Sequence, residues 1–488
     1  MNMKISGIIS ILLLISLLLT AVSCGGNTGG AADTGTAAIS EDTAAAETED
    51  PLNDNLPDKD YAGFEYRILG ADVDIPMLLS EEITGSLVND SVFEANAAVE
   101  DRFNVELVQV KLPNWSDSGT IKSNILSGSD AFDLGVCHDC TSGNLSLEGL
   151  FVDLYKLPYL DFDKPWWPRF TVEGLTLNNR MYVFSNYIGY NGLRGTKNMY
   201  VNLDQLKNYD LESPYELVRS GDWLLEKVIS MTSGIYSDLD GDQTRTRDDF
   251  YGFAFTGLFY GWLENFGIEA YAHKPDDKEV HLNINNQRTA DLIEIIRDWL
   301  QGGREGVYYK KSHTGLYNPD AYSVMFADGK CLFTYGSLYV LIANLENSDV
   351  TYGILPMPKY DENQDDYFGV CYDSPMWVPV SLTDSERTGI ILEAMSAEGY
   401  KRIVPAYKDI TLKDRYATDL DSAEMLDIIF KNRVLSFSYI YGKGTGFQGI
   451  LNDVVPSDTY EFASYYASKE PQELDRIREI NEFFSSAE

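Results

Sequence analysis

An acidic segment of the chain has the spacing of a loop that binds a hard cation. Oxygen-bearing side chains fall at loop positions one, three, five, nine and twelve, and a backbone carbonyl is available at position seven. Several aspartates this close in sequence repel one another without a counter-ion. We therefore expect a structural Ca²⁺ that pins the strand predicted to begin at Tyr251; an acidic turn without metal is the alternative. The predicted ligands are Asp238, Asp240, Asp242, Thr244, Thr246 and Asp249.

This loop resembles an EF-hand or dockerin-like calcium loop, with two departures. Gly241 stands at position four, where the familiar loop has its glycine at position six. Asp249 replaces the longer glutamate that chelates through both oxygens. Both departures predict a modified geometry and weaker binding.

A second set of candidates lies where predicted strands end. His138 and Asp139 follow the apolar run 132–136, and a carboxylate there could accept hydrogen bonds from two adjacent sugar hydroxyls. The alternative is a turn that only caps the next helix. Aromatic rings near other strand ends offer flat surfaces for the C–H faces of a sugar, although Trp262 could belong to the core. These further candidates are Phe259, Tyr260, Trp262, Tyr335, Tyr372 and Asp373.

The elements that would position these residues alternate between strands and helices. Phe64, Tyr66 and Ile68 have the period of a half-buried strand, and residues 92–103 have helical spacing after an N-cap predicted at Asp90. Val105 then begins a second strand. Trp166 and Trp167 are expected to pack in the core. Alternation of this kind predicts α/β layers with mainly parallel sheets.

A series of short motifs resembles the extracellular solute-binding family of carbohydrate ABC importers, which includes maltodextrin-binding proteins. The resemblance covers roughly residues 61–394, and each motif is weak alone. In chain order the motifs are residues 64–89, 137–139, 179–183 as a crossing strand, 199–202, 221–223, 326–333 and 352–358. Arg180 and Cys331 depart from the lysine and alanine usual at their positions.

The resemblance implies a two-lobed periplasmic-binding-protein-like fold of type II, in which each lobe is a mainly parallel sheet flanked by helices. It implies a first lobe from residues 61–185 and 315–368, and a second lobe from residues 186–314 and 369–488. Crossing hinge strands would join the lobes, and a sugar or oligosaccharide would be held between them. The implied partners are the membrane subunits of an ABC importer. The implied protein is a monomer and not an enzyme.

The N-terminus predicts export and lipid attachment. Lys4 precedes an apolar run, and residues 21–24 resemble a bacterial lipobox ending in Cys24. We expect residues 1–23 to be a lipoprotein signal peptide, with Cys24 as the lipid anchor on the outer face of the membrane; an uncleaved membrane anchor is the alternative. Residues 24–60 contain no aromatic residue, and their composition predicts a flexible tether.

Composition narrows the remaining functions. A formal charge of −38 disfavours nucleic acid and makes anionic ligands less expected, while 32 tyrosines suit sugar faces. Cys331 is predicted to act as a buried apolar residue of a strand. Cys137 and Cys140 are expected to be plain thiols or to form a local disulfide, and redox or zinc chemistry is the alternative. The common hydrolase and phosphate-loop motifs are absent. A surface glycan-degrading enzyme and a glycan-adhesion module stay open as alternatives.

Overall fold

The computed structural model describes residues 50–257, 259–301, 305–311, 321–340, 344–345, 347–372, 374–413, 420–442 and 446–486. The predictions for the signal peptide, for Cys24, for most of the tether and for Asp373 lie outside these residues. No helix in the described ranges has both the length and the apolar content needed to cross a membrane.

Short strands make up the two main sheets and two small ribbons. In chain order they are β1 (Phe64–Gly70), β2 (Val105–Lys111), β3 (Leu134–Val136), β4 (Lys197–Asn202), β5 (Tyr236–Ser237), β6 (Phe250–Thr256), β7 (Tyr271–Ala272), β8 (His281–Leu282), β9 (Val307–Lys310), β10 (Cys331–Ser337), β11 (Tyr352–Leu355), β12 (Gly369–Val370), β13 (Met376–Trp377) and β14 (Arg433–Val434).

Helices surround these sheets. They are α1 (Leu87–Phe103), α2 (Ser118–Leu126), α3 (Asp139–Leu147), α4 (Arg169–Leu175), α5 (Asn191–Gly195), α6 (Leu203–Asn208), α7 (Pro214–Ser220), α8 (Leu225–Thr232), α9 (Trp262–Asn265), α10 (Gln287–Gln301), α11 (Tyr322–Ala327), α12 (Leu338–Val340), α13 (Ser385–Lys413), α14 (Leu420–Lys431), α15 (Phe437–Tyr441), α16 (Ile450–Val454) and α17 (Phe462–Ser486).

The first sheet has the order β13-β3-β1-β2. The predicted strand at Phe64 is confirmed: it runs parallel to β2 on one side and to β3 on the other. Tyr66 and Ile68 face the core and are fully buried, as the period-two pattern predicts. β13 adds the only antiparallel pair of this sheet within the described residues. The carboxyl ends of β1, β2 and β3 therefore lie along one edge.

The second sheet has the order β11-β4-β10-β6-β5, with β9 beside β6. β6 is parallel to β10 and β9, whereas β4 runs antiparallel between β10 and β11. This sheet is therefore mixed, while the first is mainly parallel. Its strand β10 contains Cys331, which is fully buried, so the prediction that Cys331 acts as a strand hydrophobe is confirmed.

Strand pairing corrects the expected grouping of segments into lobes. β10 and β11 lie within residues 315–368, which were assigned to the first lobe, yet both strands hydrogen-bond to β4 in the second sheet. β13 lies within residues 369–488, assigned to the second lobe, yet it pairs with β3 in the first sheet. Pairing between strands distant in the sequence is a tertiary choice that local patterns do not contain. The other segment assignments stay predictions.

Two local expectations also differ from the structure. Helix α1 begins at Leu87, and Asp90 lies in its first turn, where its carboxylate accepts hydrogen bonds from the amides of Thr84 and Gly85. The predicted crossing strand at residues 179–183 is absent as a regular strand. Instead, Asn178 and Asn179 have φ values of 51° and 54°, a left-handed pair that asparagine tolerates and that reverses the chain in a tight turn.

A buried carboxylate organises the core on the first-sheet side. Glu393 of α13 accepts hydrogen bonds from the indole nitrogens of Trp166 and Trp167, each at 2.7 Å. The prediction that both tryptophans pack in the core is confirmed, since both are buried. Burial removes the Glu393 carboxylate from water and raises its pKa to about 7.

The raised pKa of Glu393 predicts a pH-dependent stability. The native state holds its proton more tightly than the unfolded chain, so stability falls as the pH rises from about 4.5 to about 7 and stays level above that. Relative to Glu393→Gln, whose side chain stays neutral, the wild type should lose at most about 3 kcal/mol over this range. Urea unfolding at pH 5 and pH 8 measures the difference.

The same substitution at exposed Glu94 of α1 is the matched control, and it should keep the wild-type pH dependence because Glu393 is intact. Equal pH dependence for the Glu393→Gln and Glu94→Gln variants would contradict this account of the Glu393 carboxylate.

Candidate ligand-binding site

The loop after β3 is held in place by its own hydrogen bonds. His138 is the N-cap of α3, and its Nδ1 accepts a hydrogen bond from the Cys140 amide at 3.3 Å. The capping turn considered as the alternative is therefore present. Because Nδ1 accepts, the neutral ring carries its proton on Nε2 and can donate it to another group. Burial lowers the pKa of His138, which favours this neutral form.

Trp115 forms one wall beside this imidazole. Its ring meets the His138 ring edge-on with centroids 4.4 Å apart, and its carbonyl accepts the His138 amide hydrogen. The Trp115 side chain is 48% exposed, which is unusual for a large apolar ring. It follows the end of β2 and so lies at the same sheet edge as His138. An exposed indole at this edge offers a stacking surface to a ligand.

Tyr439 reaches the same place from the far end of the chain. It lies on α15, which packs directly on α3. The contact is close at Gly143, where an added methyl group would lie 2.0 Å from the carbonyl oxygen of Ile440. The Cys140 thiol also donates a hydrogen bond to the Tyr439 carbonyl at 3.2 Å. These contacts fix the Tyr439 ring opposite the His138 loop.

Rings from several segments converge on Tyr439. Its centroid is 5.5 Å from Tyr260, 5.4 Å from Tyr372 and 6.4 Å from His138. All four side chains are partly exposed. We call His138, Tyr260, Tyr372 and Tyr439 the ring cluster. The cluster joins a loop of the first sheet to the segment after β6 of the second sheet, so a ligand bound there would contact both.

Lys197 and Tyr335 lie on the second-sheet side of the ring cluster. The Lys197 ammonium is 5.3 Å from the centroid of the Tyr372 ring and 5.9 Å from that of Tyr335, within the range of cation–π attraction. Tyr335 is only 3% exposed, and its ring packs on Trp262. Tyr335 therefore forms the floor of this region.

The structure brings together some of the predicted ligand contacts and separates others. His138, Tyr260 and Tyr372 share the ring cluster. Phe259 and Trp262 are each 1% exposed and pack around Phe255 in the core, which is the alternative considered for Trp262. Asp139 is buried in the first turn of α3. Direct ligand contact by these buried side chains stays a prediction.

A cavity of about 500 Å³ lies beside the ring cluster, on the other side of residues 436–438. Its volume falls within the usual range for small-molecule sites. Its walls carry both signs of charge, including Glu264, His273 and Arg433. Ser436 donates a hydrogen bond to Glu264, whose pKa burial raises to about 7. The cavity therefore offers polar groups and space next to the rings.

The predicted calcium loop connects β5 to β6. Carboxylate oxygens of Asp238, Asp240 and Asp242 lie within 4.8 Å of one another, close enough to share one cation. Asp249 is used differently: its oxygens accept hydrogen bonds from the amides of Leu239 and Thr246. It closes the loop from within, as Asp238 also does by accepting hydrogen bonds from the amides of Gly241 and Gln243. The role of Asp249 as a ligand stays a prediction.

The two remaining predicted ligands of the loop supply hydrogen bonds in this structure. The Thr244 amide donates to Asp242 at 2.6 Å, and the Thr246 hydroxyl accepts from the Asp248 amide at 3.1 Å. The three clustered carboxylates are the candidate donors for Ca²⁺, and coordination by Thr244 and Thr246 stays a prediction.

The cysteines near the site are thiols. Cys137, Cys140, Cys331 and Cys371 form no disulfide. The Cys137 sulfur accepts a hydrogen bond from the Trp377 indole at 3.3 Å. Burial raises the pKa of both Cys137 and Cys140 to about 12, so neither thiolate is populated at neutral pH. Cys137 and Cys140 are therefore plain thiols, which is the first of the two expectations for this pair.

Three residues of the site were missed by reasoning from sequence. Trp115 follows the end of β2, so the search at strand ends could have found it. Tyr439 lies on a single helical turn with no local motif, and only the packing of α15 on α3 brings it to the site. Lys197 begins β4, and nothing in the sequence shows that an ammonium there lies beside two rings.

Comparison with known proteins shows the fold. No family model matches the chain, and no curated protein sequence matches it. Among solved structures, a sugar transporter from Rhizobium etli in an open conformation gives a TM-score of 0.55 at 13% identity, covering 87% of this chain and 100% of that chain.

Two further structures cover similar shares. The ABC substrate-binding protein of Listeria monocytogenes in complex with cycloalternan gives a TM-score of 0.51 at 11% identity, covering 86% of this chain and 99% of that chain. UgpB from Mycobacterium tuberculosis in complex with glycerophosphocholine gives a TM-score of 0.52 at 14% identity, covering 86% of this chain and 99% of that chain. The predicted α/β fold is confirmed: the chain has the two-lobed architecture of periplasmic-binding-protein-like solute-binding proteins.

The contact between α3 and α15 predicts a specific sensitivity at Gly143. In Gly143→Ala the new methyl group would collide with the Ile440 carbonyl, separating the helices and lowering the free energy of unfolding by about 1–3 kcal/mol. Gly119→Ala in α2 is the control, because its methyl group would lie 3.5 Å from the nearest atom. Thermal or urea unfolding measures both variants. Equal stability of the two would show that the helices do not depend on this approach.

Proposed function

We propose that the chain is the extracellular binding component of an ABC importer and captures a sugar or oligosaccharide between its two lobes. The fold supports this proposal, because neighbours with the same architecture include a sugar transporter and a protein that binds cycloalternan. The neighbour that binds glycerophosphocholine shows that the fold alone does not set the ligand. A sugar ligand is therefore inferred from the residues of the site and not from the fold.

The ring cluster is the observation that favours a sugar. Partly exposed aromatic faces from His138, Tyr260 and Tyr439 converge from different parts of the chain. Sugars present apolar C–H faces between hydroxyls, and such faces pack well on flat rings. The His138 Nε2–H and the tyrosine hydroxyls supply hydrogen bonds at the ring edges. The cluster thus combines stacking with polar contacts.

Binding is reversible and linked to closure of the lobes. A ligand that contacts residues of both sheets favours the closed arrangement by its greater affinity for that state. Capture and release require no covalent step, so the protein acts as a carrier and not as an enzyme. It works as a monomer that passes its ligand to separate membrane subunits. The transport function of its structural neighbours supports this assignment.

Attachment to the membrane rests on the N-terminal sequence. Residues 21–24 end in Cys24 after an apolar run, which supports a lipoprotein held at the outer face of the bacterial membrane. The residues between Cys24 and the folded body then act as the tether that keeps the lobes near the importer.

A bound Ca²⁺ stabilises the second sheet in this proposal. The three carboxylates of Asp238, Asp240 and Asp242 support it, because they converge in the loop between β5 and β6. The ion would hold that loop closed and thereby fix the start of β6. It has no part in ligand capture.

Isothermal titration calorimetry tests the central function. We expect at least one of maltotetraose, cycloalternan and ribitol to bind, and Tyr439→Ala to weaken that binding by about 10- to 100-fold through loss of the stacking ring. Tyr209→Ala is the matched control, since this tyrosine is 38% exposed and stacks on Phe250 away from the cluster. Cleavage of a sugar during the titration, or binding unaffected by Tyr439→Ala, would overturn the proposal.

Removal of calcium tests the metal loop. Treatment with a chelator should lower the melting temperature, and Ca²⁺ at about one hundred times Kd should restore about 3 kcal/mol of stability. Asp240→Asn should abolish the response, whereas Asp101→Asn, at an exposed position of α1, should keep it. A melting temperature that does not change with calcium would refute the site.

A further inference from the structure

Lys197 is a cation that lies between two aromatic rings. It is partly buried at the start of β4, and within the described residues its ammonium forms no ion pair and donates no hydrogen bond. The rings of Tyr335 and Tyr372 lie on its sides. Cation–π attraction replaces only part of the hydration that an ammonium loses on burial. The position is therefore unexplained by the needs of the fold.

The backbone around Lys197 holds it in this position. β4 pairs with β10, with Lys197 opposite Ser337. Gly195, two residues earlier, lets the chain approach Tyr372 so closely that an added methyl group would lie 1.9 Å from the Tyr372 carbonyl oxygen. The ammonium is thus presented from a strand end and not from a flexible loop. Groups placed on rigid elements are suited to recognition of a ligand.

An unused hydrogen-bonding group lies beside this cation. The Tyr372 hydroxyl is buried and has no hydrogen-bond partner among the described residues. The Tyr335 hydroxyl, by contrast, interacts with the side chains of Asn265 and Trp262. A buried polar atom without a partner is uncommon in folded proteins. The Tyr372 hydroxyl can donate a hydrogen bond to an acceptor placed next to the Lys197 ammonium.

Burial makes an anion especially favourable here. Loss of hydration lowers the pKa of Lys197 to about 8, and a negative group placed beside it would reverse that loss. The overall charge of −38 argues against anionic ligands only at long range, because salt screens charges beyond about 8 Å at physiological ionic strength. The nearest charge therefore dominates at the site.

Glu264 is an acidic side chain near both tyrosines, since its charge adds to the effect of burial in raising their pKa values. It is buried and accepts a hydrogen bond from Ser436 through one oxygen, while its second oxygen has no partner. Burial raises its pKa to about 7, so it readily holds a proton. In that form it does not repel an anion and offers one more donor.

We propose that the captured sugar carries an acidic group, such as the carboxylate of a uronic or sialic acid, and that Lys197 binds it between Tyr335 and Tyr372. This inference rests on the proposed function and narrows its ligand class. The carboxylate accepts hydrogen bonds from the Lys197 ammonium and the Tyr372 hydroxyl, while the neutral part of the sugar stacks on Tyr439 and Tyr260. Lys197 acts as a residue that determines specificity.

Paired sugars that differ in charge test the inference. The pairs are glucuronate with glucose, trigalacturonate with its trimethyl ester, and 3′-sialyllactose with lactose. Calorimetry should show that the acidic member of at least one pair binds about 10- to 100-fold more tightly than its neutral partner, as expected for a charged hydrogen bond. Lys197→Met should remove that ratio. Lys207→Met, on exposed α6 outside the site, should preserve it.

Stability provides a second readout. Because the Lys197 ammonium forms no ion pair and donates no hydrogen bond within the described residues, Lys197→Met should leave the melting temperature unchanged or raise it. A marked fall in melting temperature would show that the ammonium serves the fold, and it would overturn the inference.

The binding results separate this inference from the proposed function. Neutral partners that bind as tightly as the acidic sugars, or an acidic preference that survives Lys197→Met, would overturn the inference. If maltotetraose, cycloalternan or ribitol binds and no acidic sugar does, the inference falls and the proposed function stands. If nothing in either panel binds, the proposed function falls as well.

Discussion

The contact between helix α3 and helix α15 is the constraint on which the site depends. Gly143 has no side chain, so the backbone of Ile440 can approach closely at this position. This approach places a ring from the end of the chain beside a loop that follows the first sheet. Without it, the strand ends of the first sheet would supply His138 and Trp115 alone. A ring cluster shared by distant segments arises here from one glycine and one helical turn.

The region around the rings has features that folding alone does not favour. Trp115 is exposed, and the Lys197 ammonium forms no ion pair among the described residues. Each group would be more stable in another environment. The buried Tyr372 hydroxyl, which has no partner in the part of the chain that the structure describes, adds to this cost. Such local conflicts with the rules of stable packing concentrate where a protein binds a ligand. The core near Glu393 contrasts with this region, because each of its carboxylate oxygens has an indole donor.

Sequence reasoning predicted the elements better than their arrangement. Alternating residues predicted β1, and the apolar run 132–136 predicted β3, because side-chain period depends on local geometry. The placement of β10 in the second sheet could not be predicted in this way, since strand pairing joins distant residues. The same limit separates Tyr260, which a strand end predicts, from Tyr439, which only helix packing brings to the site. The position of Lys197 between two rings could not be predicted either, because tertiary packing brings those rings to it.

The central proposal is that a sugar binds at the ring cluster and contacts residues of both lobes. A crystal structure of the protein with the tightest-binding sugar tests this claim most directly. We predict density for the sugar between His138 and Tyr260, with a ring stacked on Tyr439. Sugar found only in the cavity lined by His273 and Arg433, or on the surface of one lobe, would contradict it.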